Sequence, residues 1–513
     1  MEEPIFKNIV GNVFEVLGNT LEAHIHEPVI EEVGTVLSVA ESTAIVDGLP
    51  NVTAEELIYF PNNIFGMAYN LDPDTVGVIL LDDPESIEAG QKVHRSGRIL
   101  DIPVGESLIG RVIDPLGRAL DEKGPIRTVD QYPLERPAPP IMHRAPVSTP
   151  LQTGIKTIDA LIPIGRGQRE LVLGDRQTGK TAIALDTIIN QAETGVICIY
   201  CAIGKESADI AKVINELTSH DALKHSIVVS APGNSPAGIQ YIAPYAATSI
   251  GEYFMEQGRD VFIVYDDLTW HARAYRQLAL LLRRPPGREA YPGDIFYIHA
   301  RLLERATHLK TEFGGGSLTA MPIIETEAQN ISAFIPTNLI SITDGQLYLS
   351  PELFQKDILP AIDIGISVSR VGGKAQLPYY RNVSKNVRLS YTQFQELEAF
   401  ARFGARMDEK TKQVIERGKR IREILKQKQF NPMPVYQQII ELWAVTKGML
   451  DELPILAIDD FKEKVAEISQ NELGEISNKI ATGDILTGEE RSELDDIIKR
   501  IVASMVGVIY GVD

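Results

Sequence analysis

The segment that most constrains the fold of this chain is residues 174–181, whose sequence Gly-Asp-Arg-Gln-Thr-Gly-Lys-Thr matches the pattern GxxxxGK[ST]. In that pattern the glycines let backbone N–H groups face phosphate oxygens, the lysine reaches the outer phosphates and the final hydroxyl binds Mg²⁺. Apolar residues 171–173 precede the segment and the apolar stretch 182–189 follows it. This strand–loop–helix context predicts a phosphate-binding loop, with a chance glycine–lysine turn as the alternative. The predicted nucleotide-binding residues are Gly174, Asp175, Arg176, Gln177, Thr178, Gly179, Lys180 and Thr181.

A second element of such a site is an apolar strand that ends in an acidic residue, which holds the metal ion through water. Residues 261–265 are apolar and are followed by Asp266 and Asp267. We therefore predict Thr181 and Asp266 as the Mg²⁺ residues, and ATP or ADP with Mg²⁺ as the ligands. The alternative for Asp266 is a strand-end residue that only caps a helix.

Hydrolysis would also need a group that deprotonates the attacking water at the end of a neighbouring strand. Residues 198–202 form such a predicted strand, and Lys205 is the residue best placed after it. A protonated lysine cannot accept a proton, and Glu206 could serve only if the register shifted by one residue. The sequence therefore predicts a site that holds a nucleotide rather than hydrolysing it.

The length of 513 residues predicts about three domains. Residues 29–100 carry short β-type runs broken by turns, typical of a small closed β-barrel. Residues 101–385 alternate apolar strands with helical patterns and predict an α/β domain with a mainly parallel sheet. Residues 386–513 show helical spacing and predict a helical bundle. An amphipathic stripe in residues 1–28 predicts a terminal helix that needs a partner surface.

The charge and the apolar pattern exclude several classes of protein. Fifty Lys and Arg against seventy Asp and Glu give a net charge of −20, which disfavours a general affinity for nucleic acid or anionic membranes. No apolar run approaches the roughly 18 residues that cross a bilayer, and the acidic start does not match a secretory signal. Cys198 and Cys201 fall in an apolar strand, where residues three apart face opposite sides, so we expect core cysteines. We expect a soluble protein.

Several further segments resemble the alpha subunit of F-type ATP synthases, and they follow one another in that family's order between residues 29 and 454. They are residues 165–170, 265–268, 274–277, 282–294, 336–346 and 365–373. The resemblance implies a β-barrel, a RecA-like nucleotide domain and a helical domain. It also implies an alternating ring of three alpha and three beta subunits around a gamma shaft, with delta or other peripheral-stalk subunits contacting residues 1–28. The ring would be docked on a membrane ion-translocating sector, at the cytoplasmic face of the plasma membrane.

The same resemblance assigns individual residues. Arg370 matches the arginine that alpha offers in trans to the catalytic site of the neighbouring beta subunit; a structural arginine on a glycine-rich turn is the alternative. Ser341 matches a residue near that interface, and a structural role is equally open. Gln427 and Gln429 match residues near the base of alpha's own nucleotide, or they are an exposed glutamine pair at a helix end.

Some positions depart from the family pattern. Lys205 stands where most alpha subunits carry Gln and catalytic beta subunits carry Glu, and Leu359 stands where many members have Arg. Residues 311–317 are shorter than is common, and residues 269–271 are atypical. The departures favour a divergent, accessory branch, for which sodium coupling and proton coupling both stay open. The choice between proton and sodium coupling resides in the membrane ring.

Two other classes of protein share parts of this pattern. A self-sufficient hexameric ATPase, of the secretion type or beta-like, would require a carboxylate at position 205. A Rho-like RNA translocase also joins a barrel to a RecA-like domain. The net charge and the lack of an aromatic–basic pattern in residues 29–100 weigh against RNA binding.

Overall fold

The computed structural model describes residues 32–128, 130–401, 408–471 and 473–510. The protein divides into two compact units, Met1–Leu80 with Pro84–Ile99 and Leu81–Asp83 with Leu100–Asp513. The amphipathic helix predicted for residues 1–28 lies outside the described residues. No helix of the described residues is long and apolar enough to cross a membrane.

The first unit contains a closed barrel of antiparallel strands in the order β1-β2-β5-β4-β3-β6, completed by pairing of β1 with β6. Alternate side chains point inward, so that Val36, Val46, Val78 and Val93 are almost fully buried. Closure leaves no free sheet edge, and the predicted barrel is confirmed. Its strands are β1 (Val33–Ala40), β2 (Thr43–Asp47), β3 (Glu56–Phe60), β4 (Ile64–Leu71), β5 (Thr75–Leu80) and β6 (Lys92–Ile99).

The second unit is built on an eight-stranded sheet in the order β18-β17-β12-β16-β15-β13-β14-β8. All neighbouring pairs are parallel except β17 with β18, which confirms the mainly parallel sheet. The strands of this unit are β7 (Asp101–Val104), β8 (Val112–Ile113), β9 (Asp130–Pro133), β10 (Pro150–Leu151), β11 (Ile164–Gly165), β12 (Glu170–Gly174), β13 (Ile197–Ile203), β14 (Ser226–Ala231), β15 (Asp260–Asp266), β16 (Ser317–Glu325), β17 (Gly345–Leu349) and β18 (Val368–Ser369). Strands β7 and β9, and β10 and β11, form two small antiparallel sheets.

Helices cover the sheet and continue into a C-terminal helical bundle, as predicted. The helices are α1 (Lys156–Leu161), α2 (Lys180–Ile189), α3 (Ser207–Ser219), α4 (Ala237–Glu256), α5 (Leu268–Leu281), α6 (Ile295–Leu303), α7 (Phe334–Ile342), α8 (Pro351–Gln355), α9 (Pro378–Ala401), α10 (Glu409–Leu425), α11 (Val435–Thr446), α12 (Ile458–Asn471), α13 (Gly474–Thr482) and α14 (Gly488–Tyr510). Helix α9 runs through residue 385, where the sequence placed a domain boundary, so that division stays a prediction.

The central strands are buried on both faces, which explains their unbroken apolar sequences. Cys198 and Cys201 in β13 are fully buried free thiols, as expected for core residues. Parallel register brings the carboxyl ends of neighbouring strands to one edge of the sheet, where Ala202 pairs with Asp266 and Gly174 pairs with Glu325. Ligands of open parallel sheets bind at this carboxyl edge.

Candidate functional site

The predicted phosphate loop connects the end of β12 to the first turn of α2 at the carboxyl edge of the sheet. Gly179 has φ 96°, in the left-handed region that favours glycine. A Cβ on Gly174 would lie 2.8 Å from the carbonyl oxygen of Leu349. Lys180 Nζ donates to the carbonyl oxygens of Gly174 (2.8 Å) and Asp175 (2.6 Å). The loop therefore wraps around its lysine, and α2 presents its amino end, where anions bind readily.

Two side chains of the loop form hydrogen bonds that fix its shape. The Asp175 carboxylate accepts hydrogen bonds from Thr326 Oγ1 (2.6 Å) and the backbone N–H of Gln329 (3.0 Å). Thr178 Oγ1 donates to the Asp175 carbonyl oxygen at 2.9 Å. Arg176 is exposed and forms an ion pair with Glu325 at 3.1 Å. The phosphate contacts predicted for the eight loop residues stay predictions.

Asp266 ends β15 and is fully buried. Its Oδ2 accepts hydrogen bonds from Thr181 Oγ1 and from Tyr200 Oη, both at 2.7 Å. Its Oδ1 lies 2.8 Å from Lys205 Nζ. The structure therefore brings together the two residues predicted to hold Mg²⁺, and it adds Tyr200 and Lys205 to the same cluster.

The chemistry of this cluster fits Mg²⁺, which prefers hard oxygen ligands such as hydroxyl and carboxylate groups. Within the described residues the buried Asp266 Oδ1 accepts no well-aligned hydrogen bond, and its contact with Lys205 is that of an ion pair. Thr181 and Asp266 would hold the metal ion, directly or through water. The Lys205 ammonium, however, shares the same carboxylate.

Lys205 occupies the position where a hydrolytic site would need a base. Burial disfavours its charge, but the carboxylates of Asp266 and Asp267 outweigh that effect and raise the pKa of Lys205. Glu206 is exposed and is the N-cap residue of α3, so it does not take the place of Lys205. Lys205 therefore stays protonated and cannot accept a proton from water.

Asp267 is a buried carboxyl group that the sequence did not single out. Burial, together with the neighbouring carboxylates of Asp266 and Glu325, raises the pKa of Asp267 to about 7, while Lys205 opposes the shift. The Asp267 carboxylate accepts a hydrogen bond from the backbone N–H of Trp270 (3.1 Å) and caps α5. The capping role that was the alternative for Asp266 thus belongs to the next residue.

A pocket beside the loop is lined by Gln427 and Gln429, the two glutamines predicted to lie near the base of the nucleotide. Gln427 uses its amide within the protein, because Nε2 donates to the carbonyl oxygens of Gly154 (2.7 Å) and Asn431 (2.9 Å) and Oε1 accepts from Lys156 N–H (3.1 Å). Gln427 thus builds the pocket wall, whereas Gln429 is exposed at its mouth. The base contacts of both residues stay predictions.

The same pocket is lined by Leu359 and by Asp186, which the sequence analysis missed. Burial raises the pKa of Asp186 to about 6, against backbone hydrogen bonds from Phe430 and Asn431 that lower it. A single carboxyl group in the apolar stretch 182–189 was the signal that could have revealed it. Leu359 contributes an apolar wall at the position where the resemblance implies a cation.

Arg370 lies at the amino edge of the sheet, where the strands begin, opposite the carboxyl edge that carries the phosphate loop. Ser369 pairs with Gly345 at the start of β17, and Gly345 pairs with Glu170 at the start of β12. The loop follows Gly174, four residues further along β12, which is about 13 Å at 3.3 Å per residue. Arg370 is exposed, and its Nη2 donates to the Ile340 carbonyl oxygen at 3.2 Å. The turn that carries Arg370 therefore lies at the other end of the strands from the phosphate loop of the same protein.

The turn carrying Arg370 is anchored through Asp344. The backbone N–H of Arg370 donates to the Asp344 carbonyl oxygen at 2.9 Å. The Asp344 carboxylate accepts from the N–H (3.1 Å), Nε (3.0 Å) and Nη2 (2.9 Å) of Arg169. Ser341 is exposed next to Ile340, and its hydroxyl donates to the Asn338 carbonyl oxygen at 2.6 Å. Arg370 and Ser341 thus share one surface, while the role of Ser341 stays open.

Comparison with known proteins agrees with this architecture. Three family models match in succession: the beta-barrel domain of the ATP synthase alpha/beta family at residues 29–97, the nucleotide-binding domain of that family at 154–369, and its C-terminal domain at 376–501. The protein belongs to the ATP synthase alpha/beta family.

Individual members of the ATP synthase alpha/beta family are similar to this protein over nearly its whole length. ATP synthase subunit alpha 2 of Syntrophus aciditrophicus is 59% identical over 97% of this sequence and 96% of the relative. ATP synthase subunit alpha 2 of Syntrophotalea carbinolica is 56% identical over 98% and 96%. ATP synthase subunit alpha 1 of a Marinomonas species is 58% identical over 91% and 92%. The predicted resemblance to alpha subunits is confirmed, and neither the secretion-type ATPase nor the Rho-like translocase is favoured.

Proposed function

We propose that this protein is the nucleotide-holding, non-catalytic alpha subunit of a rotary F-type ATP synthase. It binds ATP or ADP with Mg²⁺ at its own loop and offers Arg370 to the catalytic site of an adjacent beta subunit. The observation that carries the proposal is the position of two features at opposite ends of the strands of one sheet. A phosphate loop without a base lies at the carboxyl edge, and an exposed arginine lies at the amino edge.

At the carboxyl edge the protein binds a nucleotide and does not hydrolyse it. The N–H groups at the start of α2 and the Lys180 ammonium would receive the phosphates, and Lys180 would exchange its two backbone carbonyl partners for phosphate oxygens. Mg²⁺, when bound, would neutralise phosphate charge. The Lys205 ammonium accepts no proton, so water at this edge is not activated by that residue.

At the amino edge Arg370 supplies charge to another subunit's reaction. A guanidinium inserted near a transferring phosphoryl group stabilises the charge of the transition state, an effect on the order of 10³–10⁵ in rate. The anchoring of its turn on Asp344 and Arg169 orders the backbone before the partner arrives. Because the side chain is exposed and lies at the other end of the strands from its own loop, we infer that it acts in trans.

The partners follow from this role. We infer an alternating ring with beta subunits, a gamma shaft within it and peripheral-stalk subunits at residues 1–28. Attachment to a membrane ion-translocating sector would place the protein, as a peripheral subunit, on the cytoplasmic face of the plasma membrane. There it would couple ion flow to ATP synthesis or hydrolysis. Nucleic acid is not expected among its partners.

Co-purification combined with a loop variant tests the proposal. We expect the full-length protein to purify with beta-like and gamma-like subunits in a ratio of about 3:3:1. Lys180→Ala should empty the alpha sites and weaken the ring, since a ligand that binds only the folded state stabilises it by mass action. Lys224→Ala is the matched control, because Lys224 is an exposed lysine paired with Asp221, away from the loop. Unchanged nucleotide content in Lys180→Ala would refute the loop assignment.

A further inference from the structure

We propose that Lys205 allows this site to bind a nucleoside triphosphate without Mg²⁺, because its ammonium already neutralises the carboxylate that would help to hold the metal. The inference rests on the proposed function of the phosphate loop as a nucleotide site. It concerns the chemical form of the ligand: the site would accept the metal-free triphosphate as well as its Mg²⁺ complex.

The position of Lys205 follows from the strand register. Ala202 in β13 pairs with Asp266 in β15, and Lys205 lies three residues beyond Ala202, at the same carboxyl edge. Its Nζ is 2.8 Å from Asp266 Oδ1 and 3.9 Å from Asp267 Oδ2. The lysine side chain is 20% exposed, whereas both carboxylates have no exposed surface. Lys205 is therefore the most exposed of the three groups, and its ammonium already pairs with the carboxylate that would help to hold a cation.

The remaining lone pairs of Asp266 are also engaged within the protein. Thr181 Oγ1 and Tyr200 Oη both donate to Oδ2 at 2.7 Å. A divalent cation that bound here would have to compete with the Lys205 ammonium at Oδ1 and with two hydroxyl donors at Oδ2. The carboxylate thus has two hydroxyl groups and one ammonium as partners before any metal arrives.

Two lysine ammonium groups lie near one another at the carboxyl edge of the sheet, beside the phosphate loop. Lys180 belongs to the loop itself, and Lys205 is close enough to influence it: burial lowers the pKa of Lys180 and Lys205 adds to that effect, while Glu325 and Asp267 oppose it. Phosphate oxygens accept charge-assisted hydrogen bonds from such groups. The pair provides two positive charges, the same number that one Mg²⁺ would bring.

Nucleotide binding to the purified full-length protein, measured with and without chelation of Mg²⁺ by EDTA, tests the inference. We expect the dissociation constant of ATP for the wild type to change less than about threefold on chelation. Lys205→Gln should weaken ATP binding in EDTA by about tenfold or more, the scale of one lost charged hydrogen bond, and much less in Mg²⁺. Lys205→Arg keeps the charge and should behave like the wild type. Lys224→Gln, at an exposed lysine paired with Asp221, should leave both values unchanged.

The outcomes separate the two proposals. If the wild-type protein binds ATP only with Mg²⁺, or if wild type and Lys205→Gln lose the same factor on chelation, the role assigned to Lys205 is wrong while the nucleotide site stands. If the protein binds no ATP under either condition, the proposed nucleotide site itself is wrong. Binding of ATP by the wild type only with Mg²⁺ overturns the inference even if a variant fails to fold.

Discussion

Substitution of Arg370 by lysine separates catalysis from structure, because the guanidinium contributes little to the fold of its own subunit. It is exposed, and within the described residues its side chain makes one hydrogen bond, the 3.2 Å contact with the Ile340 carbonyl oxygen. Exposed substitutions of this kind usually change the free energy of unfolding by less than about 0.5 kcal/mol. Arg370→Lys should therefore leave the melting temperature and the nucleotide content of the protein unchanged.

The expected effect on turnover is far larger. Lysine keeps the positive charge but lacks the planar fork that binds phosphoryl oxygens with two parallel donors. A loss of about 10³-fold in the rate of ATP hydrolysis corresponds to about 4 kcal/mol in the activation free energy. The expected change in activation free energy, about 4 kcal/mol, is about eight times the largest expected change in the free energy of unfolding, about 0.5 kcal/mol. Such a ratio indicates a residue that acts only in the partner's transition state.

The assay is steady-state ATP hydrolysis by the complex assembled from this protein with beta and gamma subunits. Arg388→Lys is a matched control, because Arg388 is also an exposed arginine of the same unit. Assembly and bound nucleotide are measured on the same preparations. Hydrolysis by Arg370→Lys within about twofold of the wild-type rate would refute the assignment of Arg370 to the mechanism.

Two further predictions concern the supports of the two sites. Asp344→Asn removes the charge that Arg169 binds, which should loosen the turn of Arg370 and reduce turnover of the assembled complex about tenfold without emptying the alpha sites. Glu304→Gln is the control at a more exposed partner of Arg169 and should have little effect on turnover. Equal losses of turnover in both variants would contradict this role of Asp344. Asp186 binds its proton more tightly in the folded state, where its pKa is about 6, than in the unfolded state, so its contribution to stability falls as pH rises from about 4 to 6. Melting temperatures of wild type and Asp186→Asn across that range should show the wild type losing more stability, and parallel curves would refute the shift.

Local sequence patterns were sufficient for the parts of the site that depend on neighbouring residues. The glycines and lysine of the loop, the acid at the end of β15 and the runs that became β12 and β13 are all short-range signals. The network around Asp266 was not accessible in this way. It depends on the register between β13 and β15, which brings Tyr200 and Lys205 to the carboxylate from another strand.

Long-range packing also explains the two other results that the sequence did not provide. Gln427 was predicted as a base contact, but its amide bonds to Gly154 and Lys156, residues more than 270 positions away in the sequence. The edge of the sheet on which Arg370 lies follows from antiparallel pairing of β18 with β17, a single reversal in an otherwise parallel sheet. Neither relation leaves a periodic or compositional trace in the sequence.

The fate of ATP bound to the isolated subunit tests the central claim most directly. The purified protein, free of beta subunits, is loaded with ATP labelled in the γ-phosphate, and bound nucleotide and released phosphate are followed over many minutes. We expect the ATP to be recovered intact from the protein, since Lys205 offers no base. Continuous release of labelled phosphate over several turnovers per subunit would contradict the account.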